Sequence, residues 1–483
     1  MKKIIFIFML IFVFTSCNKD FDTINDNKKA ATDVPASTLF SNAQKGLVDN
    51  MTTPDVNVNI FRLLAQQWCE TTYADESQYN LTTRNNARNF WNPMYRDVLK
   101  DFAEAKRLAL IDATILNESV RNNQVALTEI LSVYAFSVLV NTFGDIPYSQ
   151  ALDYKNIYPK YDDAATIYAD LLKRLDDAMA SMDPGAASFG DADIIYKGDV
   201  ATWMKFANSL KLRIGMTLAD VDQATAKKAA EEAATAGVFT SNADNALFGY
   251  LSSPPNTNQV WVNLIQSQRI DFLASNTMVD IMKPLNDPRL PGFFNRFSGD
   301  FVGGIYGQVN PNNKSSLPSD KITATTFPGD LLDYAEVEFY LAEAVERGFA
   351  VGGTATEHYN NAVTASILYW GGTADQAATY LSKPAVAYAT AAGGYKQKIG
   401  TQKWIALYNR GQEAWTEYRR FDYPVLNTVS ADDAQGPFPL RFPYSDQEAA
   451  LNTDNFNAAM TKAGVAPGSS TNIVTVRLFW DKQ

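Results

Sequence analysis

The sequence predicts a mainly α-helical protein, in which tetratricopeptide-like helix pairs pack against an irregular, loop-rich half with short strands. Two observations carry this prediction. Apolar residues recur at three- and four-residue spacing in several segments that have start and stop signals, and the segments between them are long, aperiodic and rich in Pro, Gly and Asn. With 483 residues, of which 46% are hydrophobic, the chain is long enough to bury a large core.

The N-terminus predicts export and lipid anchoring. Two lysines stand near the start, residues 4–14 are apolar but too few to span a bilayer comfortably, and small residues precede Cys17, a pattern that resembles a bacterial lipoprotein signal. We expect residues 1–16 to be the signal peptide, Cys17 to be the site of lipidation, residues 17–32 to form the anchor and flexible tether, and residues 33–483 to form a single helical ligand-binding domain. The alternative is an ordinary signal peptide that is cut elsewhere and leaves a soluble exported protein.

Five segments show helical patterns. Residues 125–143 are apolar nearly all round and end at Gly-Asp-Ile-Pro, which predicts a helix buried on most sides. Residues 162–182, whose first aspartate is a plausible N-cap, and residues 199–219 each carry one apolar face. Residues 333–347 and 356–370 are joined by a short Gly-containing turn and resemble a tetratricopeptide unit, which favours solenoid-like packing.

The C-terminal half mixes helix and loop. Residues 402–424 carry an apolar stripe and charges spaced for pairing within one helix, which predicts a packed structural helix. Residues 287–330 and 430–447 have no sustained period and are expected to be loops, and loops of such length are often functional. Residues 473–480 alternate enough to predict a short terminal strand.

The composition argues against enzymes and nucleic-acid binders. Asp and Glu total 53 against 42 Lys and Arg, a formal net charge of −11, which disfavours binding to nucleic acid. The single histidine, His358, offers neither a zinc site nor a catalytic pair, and the helical spacing around Cys69 predicts a small buried thiol rather than a nucleophile. Adjacent acidic residues are typical of solvated helix faces, whereas a glycosidase needs two separated carboxylates that flank the scissile bond. We therefore expect no catalytic residue, no metal site and no cofactor.

Four segments in order resemble the SusD/RagB family of outer-membrane lipoproteins. They are 139–152 (LVNTFGDIPYSQAL), 199–213 (DVATWMKFANSLKLR), 333–347 (DYAEVEFYLAEAVER) and 402–424 (QKWIALYNRGQEAWTEYRRFDYP), and the last is followed by Arg-Phe-Pro-Tyr at 441–444. The resemblance implies a surface-exposed lipoprotein of the outer membrane that binds an oligomeric nutrient and passes it to a SusC-like TonB-dependent transporter. The nutrient implied most often is a glycan. The alternative is the peptide-binding lid of a RagB-like peptide importer.

Glycan binding predicts exposed aromatic rings beside polar side chains in loops, because sugars present apolar faces together with hydroxyl groups. Residues 73–88 and 250–306 fit this description, whereas Trp91 and Tyr95 lie one helical turn apart, the spacing of a core contact. An anchored scaffold that binds only other proteins would lack such a site. The candidate ligand-binding residues are Tyr73, Tyr79, Asn80, Trp261 and Tyr306, with ordinary loop anchoring as the competing interpretation.

Overall fold

The computed structural model describes residues 34–466 and 470–482. Over these residues the chain is built mainly from α-helices, and its short strands form two-stranded antiparallel sheets. The predicted fold class is confirmed. Cys17 and the expected signal peptide and tether lie outside the described residues.

The helices and strands of the described residues have the following bounds. The α-helices are α1 (Ala36–Thr52), α2 (Phe61–Leu64), α3 (Asn86–Pro93), α4 (Lys100–Ile111), α5 (Glu118–Phe143), α6 (Ala164–Ser181), α7 (Val200–Thr217), α8 (Gln223–Ala236), α9 (Gln259–Trp261), α10 (Asn276–Met282), α11 (Leu290–Phe293), α12 (Tyr334–Glu346), α13 (Ala355–Tyr369), α14 (Ala374–Leu381), α15 (Tyr395–Ala406), α16 (Gly411–Phe421), α17 (Glu448–Leu451) and α18 (Thr453–Lys462). The strands are β1 (Trp68–Glu70), β2 (Ile146–Pro147), β3 (Tyr161–Asp162), β4 (Leu247–Phe248), β5 (Phe272–Ala274) and β6 (Gly329–Asp330).

Consecutive helices pack in pairs, as the tetratricopeptide-like pattern predicts. The pairs α4–α5, α5–α6, α7–α8 and α12–α13 make extensive contacts. The N-cap of α6 is Asp163, whose carboxylate accepts from the backbone N–H of Thr166 at 3.0 Å. The predicted cap, Asp162, lies in β3 and accepts instead from the backbone N–H of Ser149 at 2.7 Å.

Helix α5 runs through the core. Its residues from Ala126 to Phe143 are almost all buried, which confirms the prediction for this segment. Among the described residues it is also the one helix long and apolar enough to cross a membrane, but 89% of its most apolar window is buried inside the protein. Its apolar surface is therefore explained by packing against other helices.

Two predictions for the C-terminal half are wrong. Residues 402–424 do not form one helix, because a 3₁₀ turn at Leu407–Asn409 separates α15 from α16. Gly411 begins α16 directly against the backbone of Arg62, where a Cβ atom would lie 2.6 Å from the Arg62 nitrogen, so the start of α16 has no room for a side chain. The segment 473–480 contains no strand: it continues a 3₁₀ turn, and its buried residues, Ile473, Val474, Leu478 and Trp480, do not alternate along the chain.

Buried ion pairs join the helix pairs to α16. Arg213 of α7 contacts Glu336 of α12 at 2.8 Å and Glu413 of α16 at 3.1 Å. Arg410 also pairs with Glu336 and contacts Asp333 at 2.9 Å. The pairing predicted within residues 402–424 is thus largely replaced by pairing across helices, which satisfies charges that the core has removed from water.

Candidate functional site

A short sheet brings two distant loop segments together. In the antiparallel pair β1–β5, Glu70 lies opposite Phe272. The pairing continues beyond the strands, because the backbone N–H of Thr71 donates to the carbonyl of Asp271 at 3.0 Å. The segment after β1, which carries Tyr73, therefore lies beside the segment before β5, which carries Arg269.

Between these segments lies a cavity of about 200 Å³, which we call the Tyr73 cavity. The Tyr73 side chain is 64% exposed, and the Arg84 guanidinium carbon lies 5.5 Å from its ring centroid, within the range of a cation–π contact. An exposed ring held beside a cation is a surface on which the apolar face of a sugar can stack. The cavity is lined by Val56, Asn57, Glu70, Thr71, Thr72, Tyr73, Arg84, Arg269 and Asp271.

The two arginines of the Tyr73 cavity are paired with acids. Arg84 lies 3.3 Å from Asp75, and Arg269 lies 2.8 Å from Asp271. Paired guanidinium and carboxylate groups offer several donors and acceptors to hydroxyl groups while adding little net charge. This arrangement suits an uncharged polyhydroxylated ligand better than an anion.

The Glu70 side chain lies at the buried side of the Tyr73 cavity and is 2% exposed. One of its carboxyl oxygens, Oε2, accepts from the backbone N–H of Ser77 at 3.1 Å and from the Ser77 hydroxyl at 2.6 Å. Burial, reinforced by the neighbouring Glu76, raises the pKa of the Glu70 carboxyl well above its usual range.

Tyr79 and Asn80 line a second cavity, of about 390 Å³, together with Gln435 and Pro437, and we call it the Asn80 cavity. The Asn80 amide donates to the Gln435 side-chain oxygen at 2.8 Å. The Tyr79 ring packs edge-on against Phe438 with centroids 5.4 Å apart, and burial raises the pKa of Tyr79 to about 12. Tyr79 is thus a half-buried anchor of its loop that also borders a cavity with both polar and apolar walls.

The structure corrects the prediction that Tyr306 contacts the ligand, and it places Trp261 outside the lining of both cavities. Tyr306 is only 4% exposed, because Cys69, Leu273 and Val429 pack around it, so its ring cannot serve as a ligand platform. Trp261 is half-buried at the end of α9 and lines neither the Tyr73 cavity nor the Asn80 cavity.

An apolar groove of about 530 Å³ lies elsewhere, on the loop that follows β2. Trp91 forms part of its wall but is 4% exposed and packs against Phe143 at 4.8 Å, which confirms its interpretation as a core residue. Leu152, Tyr154 and Ile157 are exposed along the loop, and Tyr154 is the most exposed at 85%. An exposed apolar patch of this kind is typical of a contact surface.

His358 and Cys69 occupy structural positions. The His358 ring contacts a Glu338 carboxylate oxygen at 2.6 Å and the Gly352 carbonyl at 3.0 Å. Cys69 is fully buried, as predicted, but it lies in strand β1 and not in a helix as its spacing indicates, and burial raises the pKa of its thiol. Within residues 34–466 and 470–482, no group of three or more His, Cys, Asp or Glu side chains is placed to hold a metal ion.

Sequence reasoning located Tyr73 but missed its polar partners. Arg84 lies within the segment 73–88 that composition singled out, but it was not among the candidate residues. The same holds for Arg269 and Asp271, which lie within the segment 250–306. Arg269 and Asp271 carry opposite charges directly before a Phe-Leu-Ala run, and this pattern could have indicated that they lie at the start of a strand.

Comparison with known proteins places the chain in a family. Residues 27–445 match a SusD-like family model described as starch-binding and associating with the outer membrane. A solved chitin-binding protein superimposes with a TM-score of 0.81 at 26% identity, over 93% of this chain and 100% of its own. A chitin-binding SusD homolog from Flavobacterium johnsoniae superimposes with a TM-score of 0.76, and a SusD homolog from Bacteroides uniformis with a TM-score of 0.78. Each is 25% identical to this chain, and each match spans 92% of this chain and 99% of the other. No curated protein sequence matches. The chain belongs to the SusD-like family of starch-binding proteins associated with the outer membrane.

Proposed function

We propose that this protein captures an uncharged oligosaccharide at the Tyr73 cavity. The observation that carries the proposal is the exposed Tyr73 ring beside the paired charges of Arg84 and of Arg269 with Asp271. The cavity volume of about 200 Å³ is below the roughly 300 to 1,000 Å³ of pockets that enclose whole drug-sized ligands. It therefore suits one sugar unit of a longer chain, with neighbouring units lying on the surface outside.

The family supports a role in nutrient uptake. We propose that Cys17 carries a lipid that anchors the protein to the outer membrane with its binding face outward, and that the protein delivers its ligand to a SusC-like TonB-dependent transporter. Two of the similar solved structures are described as chitin-binding and the family model as starch-binding. Starch and soluble N-acetylglucosamine oligomers are therefore the first ligands to test. Co-purification of the native lipoprotein with a TonB-dependent transporter tests the partner, and a protein extracted alone would contradict it.

Affinity electrophoresis tests binding at this site. The chain carrying Cys17→Ser is run through gels containing soluble starch, N-acetylglucosamine oligomers coupled to the matrix, or other neutral polysaccharides, together with Tyr73→Ala and Tyr154→Ala variants. Loss of an aromatic contact worth about 0.5 to 1.5 kcal/mol lowers affinity roughly two- to twelvefold. We expect retardation that Tyr73→Ala weakens and Tyr154→Ala, the matched exposed tyrosine, does not. Absence of retardation in every gel would contradict the proposal.

A second candidate, the peptide-binding lid, is favoured by the apolar groove near Tyr154. Its exposed Leu152 and Ile157 side chains suit apolar peptide side chains rather than sugar hydroxyls. A mixed peptide library passed over the immobilised protein distinguishes the two functions. Peptide retention that Tyr154→Ala abolishes and Tyr73→Ala leaves intact would favour this candidate.

A further inference from the structure

Two buried carboxyl groups lie side by side behind the Tyr73 cavity. Glu70 is 2% exposed and Glu76 is fully buried, and the two groups are within hydrogen-bonding reach of each other. Each group has one oxygen with an outside partner: Glu70 Oε2 accepts from Ser77, and Glu76 Oε1 faces Arg84 Nη1 at 3.5 Å. The remaining oxygens, Glu70 Oε1 and Glu76 Oε2, are buried and accept from no donor among the described residues.

One proton satisfies both of these oxygens. Two adjacent carboxylates that have been removed from water repel each other and cannot both ionise without a large cost. If Glu70 keeps its proton, its Oε1 hydroxyl can donate to Glu76 Oε2, and the pair then carries a single negative charge that Arg84 faces. A buried polar group without any partner would be costly, so the geometry favours this arrangement.

We propose that Glu70 and Glu76 share one proton and that this acid pair positions Arg84 over the Tyr73 ring. Glu70 is thus a positioning residue of the binding site. This inference rests on the proposed function only in its consequence for ligand affinity, because the shared proton is a property of the protein without ligand.

The groups around the pair are consistent with a single retained proton. On the same loop, Asp75 and Glu76 both face Arg84, at 3.3 and 3.5 Å, so Arg84 is shared between two acids. From the other elements packed against Glu70, Cys69 and Tyr306 have raised pKa values and stay neutral near pH 7, and burial is the first cause for each. Across the cavity, Arg269 is already paired with Asp271.

Loss of the proton would change the cavity in a defined way. A second negative charge behind Arg84 would draw the guanidinium inward, away from the Tyr73 ring, because attraction between buried charges is stronger than between exposed ones. The Tyr73 ring would lose the neighbouring Arg84 guanidinium, and the Tyr73 cavity would become more negatively charged. Ligand affinity should therefore fall as the pH rises through the titration of the pair.

The first experiment measures the shared proton without ligand. Because the folded state raises the pKa of Glu70, it binds more protons than the unfolded state above about pH 4.3, and this contribution to stability decreases with rising pH. Glu70→Gln keeps the bond with Ser77 and can donate to Glu76 without titrating. Melting temperatures of wild type, Glu70→Gln and the exposed control Glu118→Gln are compared from pH 5 to pH 9.5.

We expect the melting temperature of Glu70→Gln, relative to wild type, to rise steadily with pH, while that of Glu118→Gln stays constant. A difference between Glu70→Gln and wild type that is independent of pH, or that falls as the pH rises, would show that Glu70 is ionised and would overturn the proposal. This result does not depend on any ligand.

The second experiment measures positioning, with soluble starch or N-acetylglucosamine oligomers as the probe, whichever retards the protein. Between pH 6 and pH 9.5 we expect the affinity of wild type to fall at least threefold more than that of Glu70→Gln. Equal pH profiles for the two proteins would overturn the positioning role. If neither probe binds at any pH, the proposed function fails, while the melting experiment still decides whether the proton is shared.

Discussion

Replacing Asp287 by asparagine removes the charge from one of the most deeply buried ion pairs of the structure. Both Asp287 and Arg289 have fully buried side chains. The guanidinium donates to both carboxylate oxygens, from Nε at 2.9 Å and from Nη2 at 2.6 Å. Nη2 also donates to Gln402 of α15 at 2.7 Å, so the pair fixes the loop before α11 to helix α15.

The size of the expected loss in unfolding free energy depends on the burial of the pair rather than on its bond geometry. Removing one partner of a buried pair leaves an uncompensated charge, which costs about 3 to 5 kcal/mol of unfolding free energy. Arg96 and Asp97 form an equally short bidentate pair, with both contacts at 2.7 Å, but their side chains are largely exposed. An exposed pair contributes at most about 1 kcal/mol. Asp97→Asn is therefore a control matched in chemistry and bond length.

Urea denaturation followed by circular dichroism measures both variants. We expect Asp287→Asn to lower the free energy of unfolding by about 3 kcal/mol or more and Asp97→Asn by less than 1 kcal/mol, with unchanged m-values. Equal losses in the two variants, or a loss below 1 kcal/mol for Asp287→Asn, would refute the argument that burial makes this pair important.

Two further predictions concern packing and pH. Gly411→Ala places a Cβ atom 2.6 Å from the Arg62 backbone nitrogen and should lower the free energy of unfolding by about 1 to 3 kcal/mol in the same assay. In the control Gly249→Ala the new Cβ atom meets no atom within 4 Å, so stability should change little. Equal effects of the two substitutions would contradict this prediction. Burial lowers the pKa of His358, but the interactions with Glu338 and the bond with the Gly352 carbonyl together outweigh it, so the pKa is raised. The contribution of His358 to stability is therefore complete below about pH 6.5 and is lost as the pH rises through the folded-state pKa. The melting temperature of His358→Gln should therefore fall furthest below that of wild type at pH 5 to 6, and a deficit that grows toward pH 9 would be the wrong sign.

The helices could be predicted where the local pattern and the packing agree. Helix α5 is apolar on nearly every side and is buried on nearly every side. The break between α15 and α16 could not be predicted from the helical spacing of residues 402–424, and the close contact at the start of α16, between Gly411 and the backbone of Arg62, joins residues far apart in the sequence. The terminal segment 473–480 was predicted wrongly because an alternation of apolar residues over so few positions does not distinguish a strand from a 3₁₀ turn.

The candidate site was predictable only in part. Tyr73 could be recognised as a loop aromatic, but nothing in its neighbourhood indicates that Arg269 and Asp271 lie beside it. They do so because β1 pairs with β5 across about two hundred residues, and strands of three residues give no usable periodicity. Tyr306 has the same local character as Tyr73, and only the tertiary packing of Leu273 and Val429 around it decides that it is buried.

The most direct test of the central claim is a crystal structure of the Cys17→Ser protein bound to the oligosaccharide that retards it most in affinity gels. We expect a sugar ring stacked on Tyr73, with hydroxyl groups within hydrogen-bonding distance of Arg269 or Asp271. A ligand seated in the groove beside Tyr154, or in the cavity of Asn80 with the Tyr73 cavity empty, would contradict it.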